Sequence, residues 1–185
     1  MKKIAVIFPG LGYGPDRPLL YYAGKAAKEY GYDVISIKYN GIDKAALRDS
    51  GKMPEAFVKA SLQAEEQLFA SELSSYDKVL FISKSIGTVA AASYAVKHDI
   101  AAAHLFFTPF AKAISLAAQG NGFVFIGDED QWVDDREIKA LSEEKKLGFR
   151  LIKGANHSLE TGRVCDDVDN LAGIIREARD YISSV

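Results

Sequence analysis

The sequence of 185 residues contains a single cysteine, Cys165. One cysteine cannot form an internal disulfide, and it is too few for a cysteine-based zinc site. No apolar run approaches the roughly 18 residues that a membrane-spanning helix needs. The apolar run near the start, Ile4–Phe8, is too short for a signal peptide and ends at Pro9-Gly10. We therefore expect a cytoplasmic protein with no bound metal and no membrane partner.

The sequence also lacks an excess of charge of either sign. It has 23 lysines and arginines against 25 aspartates and glutamates, which gives a net charge near −2. Nucleic-acid-binding proteins usually carry a basic surface, so no nucleic-acid partner is expected. The hydrophobic fraction of 48% is that of an ordinary globular protein. The length favours a single domain over residues 1–185. The sequence carries no signal for an oligomeric state.

Short apolar runs alternate with helical patterns along the chain. Six runs are predicted as strands: Ile4–Phe8, Asp33–Lys38, Lys78–Ser83, Ala102–Phe107, Gly122–Ile126 and Arg150–Ile152. Helices are predicted over Pro18–Tyr30, Pro54–Leu73, Ile86–Lys97, Asp135–Lys146 and Asp167–Ser183, with a shorter one in Pro109–Gln119. Continuous apolar strands joined by helical crossovers are typical of parallel sheets. The pattern predicts the α/β class, with a doubly wound, mostly parallel six-stranded sheet flanked by helices. Ligands bind such sheets at the carboxyl ends of the strands.

Ser85 lies in the turn that follows the third predicted strand, within Ser83-Lys84-Ser85-Ile86-Gly87. A sharp strand-to-helix turn requires small residues two positions before and after its central residue, and Ser83 and Gly87 are both small. Such a turn exposes the Ser85 hydroxyl and directs the Ile86 N–H, at the helix start, toward a developing oxyanion. Alternatively, Ser85 only caps the helix. Lys84 is expected to be exposed to solvent and to have no role.

Two later loops supply candidate partners for a nucleophilic serine. Asp128 and Asp130 follow the fifth predicted strand, and His157 follows the sixth. A serine hydroxyl needs a base, and the base needs an orienting carboxylate. Spacing alone does not rank the two aspartates. The alternative for the loop, taken in isolation, is a solvated acidic segment that caps the helix predicted over Asp135–Lys146. The other histidines are expected elsewhere, with His98 at the polar end of a helix and His104 packed within a strand.

The order serine, aspartate, histidine resembles that of the α/β-hydrolase superfamily, and Ser83-x-Ser85-x-Gly87 resembles its nucleophile elbow with serine at the first glycine. The chain most resembles the small lidless members, including the dienelactone hydrolase-like group, but with a serine nucleophile. By position, the resemblance implies Ser85 as nucleophile, His157 as base and Asp130 as acid, with Asp128 as the alternative acid. It also implies a minimal α/β-hydrolase sheet with strand order 2-1-3-4-5-6.

The first predicted strand is followed by Pro9-Gly10-Leu11-Gly12. The corresponding loop of the family commonly reads His-Gly-x, and residue x donates its N–H to the oxyanion. The resemblance therefore implies an oxyanion hole formed by the backbone amides of Leu11 and Ile86, with proline at the position of the histidine. A dinucleotide-binding loop is the competing interpretation, but Pro15 stands at its third glycine position. No cofactor is expected.

The resemblance implies a serine hydrolase that cleaves a small-molecule ester or thioester through an acyl-enzyme. The alternatives are an acyltransferase and a non-catalytic binding or scaffold protein that retains the fold. Aromatic residues that follow strand ends are candidates for the pocket: Tyr13, Tyr39, Phe110 and Trp132. The polar loop over residues 40–53 is expected to cover part of the cleft.

Overall fold

The computed structural model describes residues 1–43, 45 and 51–185. Its strands are β1 (Lys3–Phe8), β2 (Tyr32–Ser36), β3 (Lys78–Lys84), β4 (Ala102–Phe107), β5 (Gly122–Gly127) and β6 (Gly148–Ile152). They form one sheet in the order β2-β1-β3-β4-β5-β6, and every neighbouring pair is parallel. The predicted fold class and strand order are confirmed. The loop predicted to cover the cleft includes residues 44 and 46–50, so this prediction lies outside the described residues.

Helices pack on both faces of the sheet. They are α1 (Pro18–Glu29), α2 (Met53–Gln67), α3 (Ala70–Leu73), α4 (Ile86–Lys97), α5 (Ala111–Leu116), α6 (Asp135–Glu144) and α7 (Val164–Ser184). The core is divided accordingly into an α4 face, which also contains α2, α5 and α6, and an α1/α7 face. Side chains of β3 alternate between them: Phe81 packs on the α4 face, while Leu80 and Ile82 pack on the α1/α7 face. No helix among the described residues is long and apolar enough to cross a bilayer.

The helix predicted over Pro54–Leu73 is wrong in one respect, because it is divided into α2 and α3. Helix α2 ends at Gln67, and Leu68 is extended with φ −116° and ψ 137°. The break allows Leu68 and Leu73 both to be buried, whereas Phe69 between them stays exposed. Burial of the two leucines therefore outweighs the helical preference of the surrounding sequence.

Strand β2 ends earlier than predicted, at Ser36 rather than Lys38. The chain beyond it is held by side chains of α2. The Gln67 side chain accepts a bond from the Lys38 N–H at 2.9 Å and donates one to the Lys38 carbonyl at 2.8 Å. Gln63 binds the backbone of Asn40 in the same manner. Because these amides satisfy the backbone groups, the segment needs no strand partner there.

Candidate functional site

The turn between β3 and α4 places Ser85 in an unusual backbone conformation. Its φ of 54° and ψ of −123° lie outside the regions that most non-glycine residues adopt. Such strain concentrates at functional sites. A Cβ atom at Gly87 would overlap the carbonyl oxygen of Phe8, because α4 begins directly against the end of β1. The Ser85 side chain makes no capping hydrogen bond to α4, so the alternative of a helix cap is wrong.

Three of the predicted site residues meet above the carboxyl edge of the sheet. The Ser85 Oγ lies 2.8 Å from His157 Nε2. On the other side of the ring, His157 Nδ1 lies 2.7 Å from Asp130 Oδ2. The Asp130 side chain is completely buried, and 16% of the His157 side chain is exposed. The hydrogen bond to the histidine is thus made by Asp130, whereas the alternative acid, Asp128, accepts a bond from the Gly154 N–H at 2.5 Å.

The acid loop and the histidine loop are held against each other by their backbones. The Glu129 N–H donates to the Ala155 carbonyl at 3.0 Å. A Cβ atom at Gly127 would overlap that same carbonyl, so the close approach requires glycine. The second oxygen of Asp130, Oδ1, accepts the Trp132 N–H at 2.9 Å. One oxygen of the carboxylate thus fixes its own loop while the other faces His157.

The loop after β1 forms a tight turn next to the turn between β3 and α4. The Tyr13 N–H donates to the Gly10 carbonyl at 3.2 Å, and Gly12 has the positive φ of 78° that favours glycine. A Cβ atom at Gly10 would lie 3.3 Å from the Ser85 Cβ, so the turn packs directly on the serine. The turn's own hydrogen bonds use the amides of Gly10 and Tyr13 and not that of Leu11. The Ile86 N–H, the first amide of α4, has no acceptor within its helix.

The expectation that Lys84 is exposed to solvent is wrong. Its side chain is 1% exposed, because alternation along β3 directs it into the α1/α7 face. The Nζ donates to the Thr108 hydroxyl and, at 2.5 Å, to the His157 carbonyl. Burial lowers the pKa of Lys84 to about 7, although the carboxylates of Asp130 and Glu160 oppose this change. The sequence already indicated this burial, because side chains two positions apart on a strand face the same side, and Leu80 and Ile82 are buried on that side.

The surroundings of His157 favour its neutral form. Burial lowers the pKa of the imidazole below its ordinary value of 6.5, and the positive charge of Lys84 lowers it further. The hydrogen bond and the charge of Asp130 act in the opposite direction. A neutral imidazole beside the Ser85 hydroxyl is able to accept a proton at Nε2.

The four predicted pocket aromatics are divided between the two faces of the sheet. The Trp132 and Phe110 rings lie 5.5 and 6.4 Å from the His157 ring, measured between centroids, and both belong to the α4 face. Tyr39 packs on the same face. Tyr13 packs on the α1/α7 face, where it helps to line a cavity of about 250 Å³.

The remaining histidines lie where the sequence predicts. His98 is the residue after α4 and binds Glu65 at 2.7 Å, while His104 is buried within β4. Among the residues that the structure describes, no cluster of three or more histidine, cysteine or acidic side chains is arranged to hold a metal ion.

Comparison with solved structures identifies the fold. Est1E from Butyrivibrio proteoclasticus with bound ferulic acid matches with a TM-score of 0.68 and 13% identity, over 97% of this chain and 88% of that chain. An α/β serine hydrolase homologue from Coxiella burnetii matches with a TM-score of 0.62 and 18% identity, over 99% and 84%. A serine hydrolase without a lid from Xanthomonas campestris gives 0.62 and 15%, over 96% and 81%.

These likenesses, at 13–18% identity, establish that the chain has the α/β-hydrolase fold, as the sequence resemblance indicates. No protein-family model matches the sequence, and no curated protein matches it.

Proposed function

We propose that this protein is a serine hydrolase that cleaves a carboxylic ester or thioester through an acyl-enzyme on Ser85. The observation that carries the proposal is the hydrogen-bonded series from Ser85 Oγ to His157 Nε2 at 2.8 Å and from His157 Nδ1 to Asp130 at 2.7 Å. This arrangement supports catalysis over simple binding, because a scaffold protein has no need of a buried carboxylate that orients a base toward a strained serine.

In the first step, the Ser85 Oγ bonds to the substrate carbonyl carbon while His157 Nε2 takes the hydroxyl proton. The carbonyl oxygen becomes an oxyanion, and the Leu11 and Ile86 N–H groups donate to it. When the carbonyl re-forms, the bond to the alcohol or thiol breaks. The leaving group takes the proton from His157 and departs, and the acyl group stays on Ser85.

In the second step, water replaces the leaving group. His157 takes a proton from the water molecule while the water oxygen bonds to the acyl carbon. The Leu11 and Ile86 N–H groups then hold the second oxyanion. Collapse breaks the bond to Ser85, which recovers its proton from His157, and the carboxylic acid is released. Asp130 holds the remaining ring proton on Nδ1 throughout and stabilises the imidazolium that forms in each step.

A fluorophosphonate probe tests the nucleophile directly, because it reacts with activated serines. The wild type is expected to be labelled, and Ser85→Ala is expected to abolish labelling. Ser183→Ala, an exposed serine of α7, is the matched control and should be labelled like the wild type. Labelling that survives in Ser85→Ala would sink the assignment.

The substrate class is tested with p-nitrophenyl esters of graded chain length and the corresponding thioesters. Hydrolysis of either series, lost in Ser85→Ala, supports the proposal. A peptide and an epoxide serve as controls that should not be cleaved. An enzyme that turns over a control but neither series contradicts the proposed chemistry.

A further inference from the structure

Lys84 carries a buried amino group immediately before the proposed nucleophile. It is 1% exposed, and the groups that its Nζ contacts are a hydroxyl, a carbonyl oxygen and an aromatic ring, none of which is a counter-ion. Removal of an ammonium group from water without a direct counter-ion is costly, and an apolar side chain of similar length would avoid that cost. The reason for a lysine at this position therefore lies in the groups that it contacts.

Those groups belong to three separate segments at the carboxyl edge of the sheet. The Nζ donates to the hydroxyl of Thr108, the residue after β4. It donates also to the carbonyl oxygen of His157, at 2.5 Å. The Tyr13 ring, in the turn after β1, lies over the ammonium with its centroid 5.2 Å from Nζ. One peptide unit separates Lys84 from Ser85, so the side chain links the nucleophile strand to the backbone of the base.

We propose that Lys84 is a positioning residue, whose side-chain nitrogen fixes the histidine loop and the turn after β1 relative to Ser85. The catalytic consequence rests on the proposed hydrolase function. The distance from Ser85 Oγ to His157 Nε2 depends on two loops that are 72 residues apart in sequence. A direct bond from the residue beside the serine to the carbonyl of the histidine removes much of that freedom. Small displacements of catalytic groups lower the reaction rate strongly.

The ammonium also acts on His157 through its charge. The titratable groups around the pair are Asp130, which binds the imidazole, together with Glu160 and Tyr13 on the lysine side. The charge of Lys84 disfavours the imidazolium, whereas Asp130 favours it. Loss of the ammonium charge removes only the first influence, so the pKa of His157 must then rise.

Lys84→Met tests both consequences, because it keeps the length of the side chain and removes its charge and donors. Lys78→Met, at the opposite end of β3, is the matched control. The fluorophosphonate labelling rate is measured from pH 5 to 9, and the pKa of His157 is read from its ring NMR signals.

In Lys84→Met we expect the high-pH labelling rate to fall by about tenfold or more. The pKa of His157 should rise by about 0.5 or more. In Lys78→Met neither should change.

The inference is overturned if Lys84→Met equals Lys78→Met in high-pH labelling rate, or if the two have the same His157 pKa. The NMR titration needs no activity. A wild type that is not labelled would therefore defeat the hydrolase proposal, while the pKa comparison still decides the electrostatic effect of Lys84.

If Lys84→Met does not fold, variants of Thr108 replace it. Thr108→Ala removes one acceptor of the ammonium but keeps the charge, whereas Thr108→Ser keeps the hydroxyl. Labelling of the alanine variant is expected to be slower than that of the serine variant by about threefold or more. Equal rates would overturn the inference.

Discussion

Two carboxylates that are two residues apart have different partners in the structure. Asp130 is bound to His157 at 2.7 Å and has no exposed side-chain surface, whereas Asp128 accepts a bond from the Gly154 backbone. In the proposed mechanism, the first orients the base and the second only joins two loops. Both residues have the same side chain and lie in the same loop. The proposed difference in their roles therefore comes from the group that each carboxylate binds.

Substitution of Asp130 by asparagine keeps the shape of the side chain and removes its charge. Asparagine can present an N–H to Nδ1, which would favour the imidazole tautomer that cannot accept the Ser85 proton. We expect kcat/KM for a p-nitrophenyl ester to fall by about 10³-fold or more. Asp128→Asn is the matched control and should lose no more than about threefold. A larger loss in Asp128→Asn than in Asp130→Asn would make Asp128 the acid.

At the scale of elements, the site depends on how closely α4 begins against the end of β1. Gly87 is the residue of contact, since its missing side chain leaves room for the Phe8 carbonyl. The same turn holds Ser85 at a positive φ. The elbow is therefore a joint between a strand, a helix and a neighbouring strand, and a single methyl group is enough to disturb it.

Gly87→Ala is expected to displace α4 from β1, with a loss of about 1–3 kcal/mol of stability from overpacking. The labelling rate of Ser85 should fall by about tenfold or more, because the serine and the Ile86 amide move with the helix. Gly173→Ala in α7 is the control, since a Cβ atom there meets no atom within 4 Å. It should leave labelling unchanged and raise stability by up to about 1 kcal/mol. Thermal unfolding and probe kinetics measure both effects, and a Gly87→Ala protein with wild-type values would contradict this account.

At the scale of the whole molecule, the sheet carries an ionisable group in its core. His104 is 2% exposed in β4, with its ring stacked on Phe106 at 4.8 Å between centroids and edge-on to Phe81 at 5.6 Å. Burial lowers its pKa from 6.5 to about 4. Between those two values the unfolded chain binds a proton that the folded chain does not, so acid stabilises the unfolded state.

The free energy of unfolding is therefore expected to decrease as the pH falls from 6.5 to about 4. The difference of about 2.5 between these pKa values corresponds to at most about 3.5 kcal/mol, at roughly 1.4 kcal/mol for each unit. His104→Phe keeps an aromatic ring on Phe106 and removes this contribution. Denaturant unfolding of both proteins across the pH range measures the difference. Parallel pH dependences in the two proteins would show that His104 does not contribute.

Much of the fold follows from local patterns in the sequence. Short apolar runs separated by helical segments are sufficient to predict all six strands, because each run must be buried whatever its neighbours are. Ser83 and Gly87 around Ser85 indicate a tight turn for an equally local reason, the space that a strand-to-helix turn requires. The strand order came from the family resemblance rather than from any pattern of this kind.

Tertiary structure decides whatever depends on residues far apart in the chain. The sequence spacing does not distinguish Asp130 from Asp128. Only the fold brings His157 to Asp130. The break at Leu68 depends on a core that buries both Leu68 and Leu73. From the sequence alone, Lys84 is expected at the surface. In the folded protein it is buried, because Thr108 and His157 supply hydrogen-bond acceptors for its side chain. A hydrogen bond or a buried contact has two partners, and a local sequence pattern specifies only one of them.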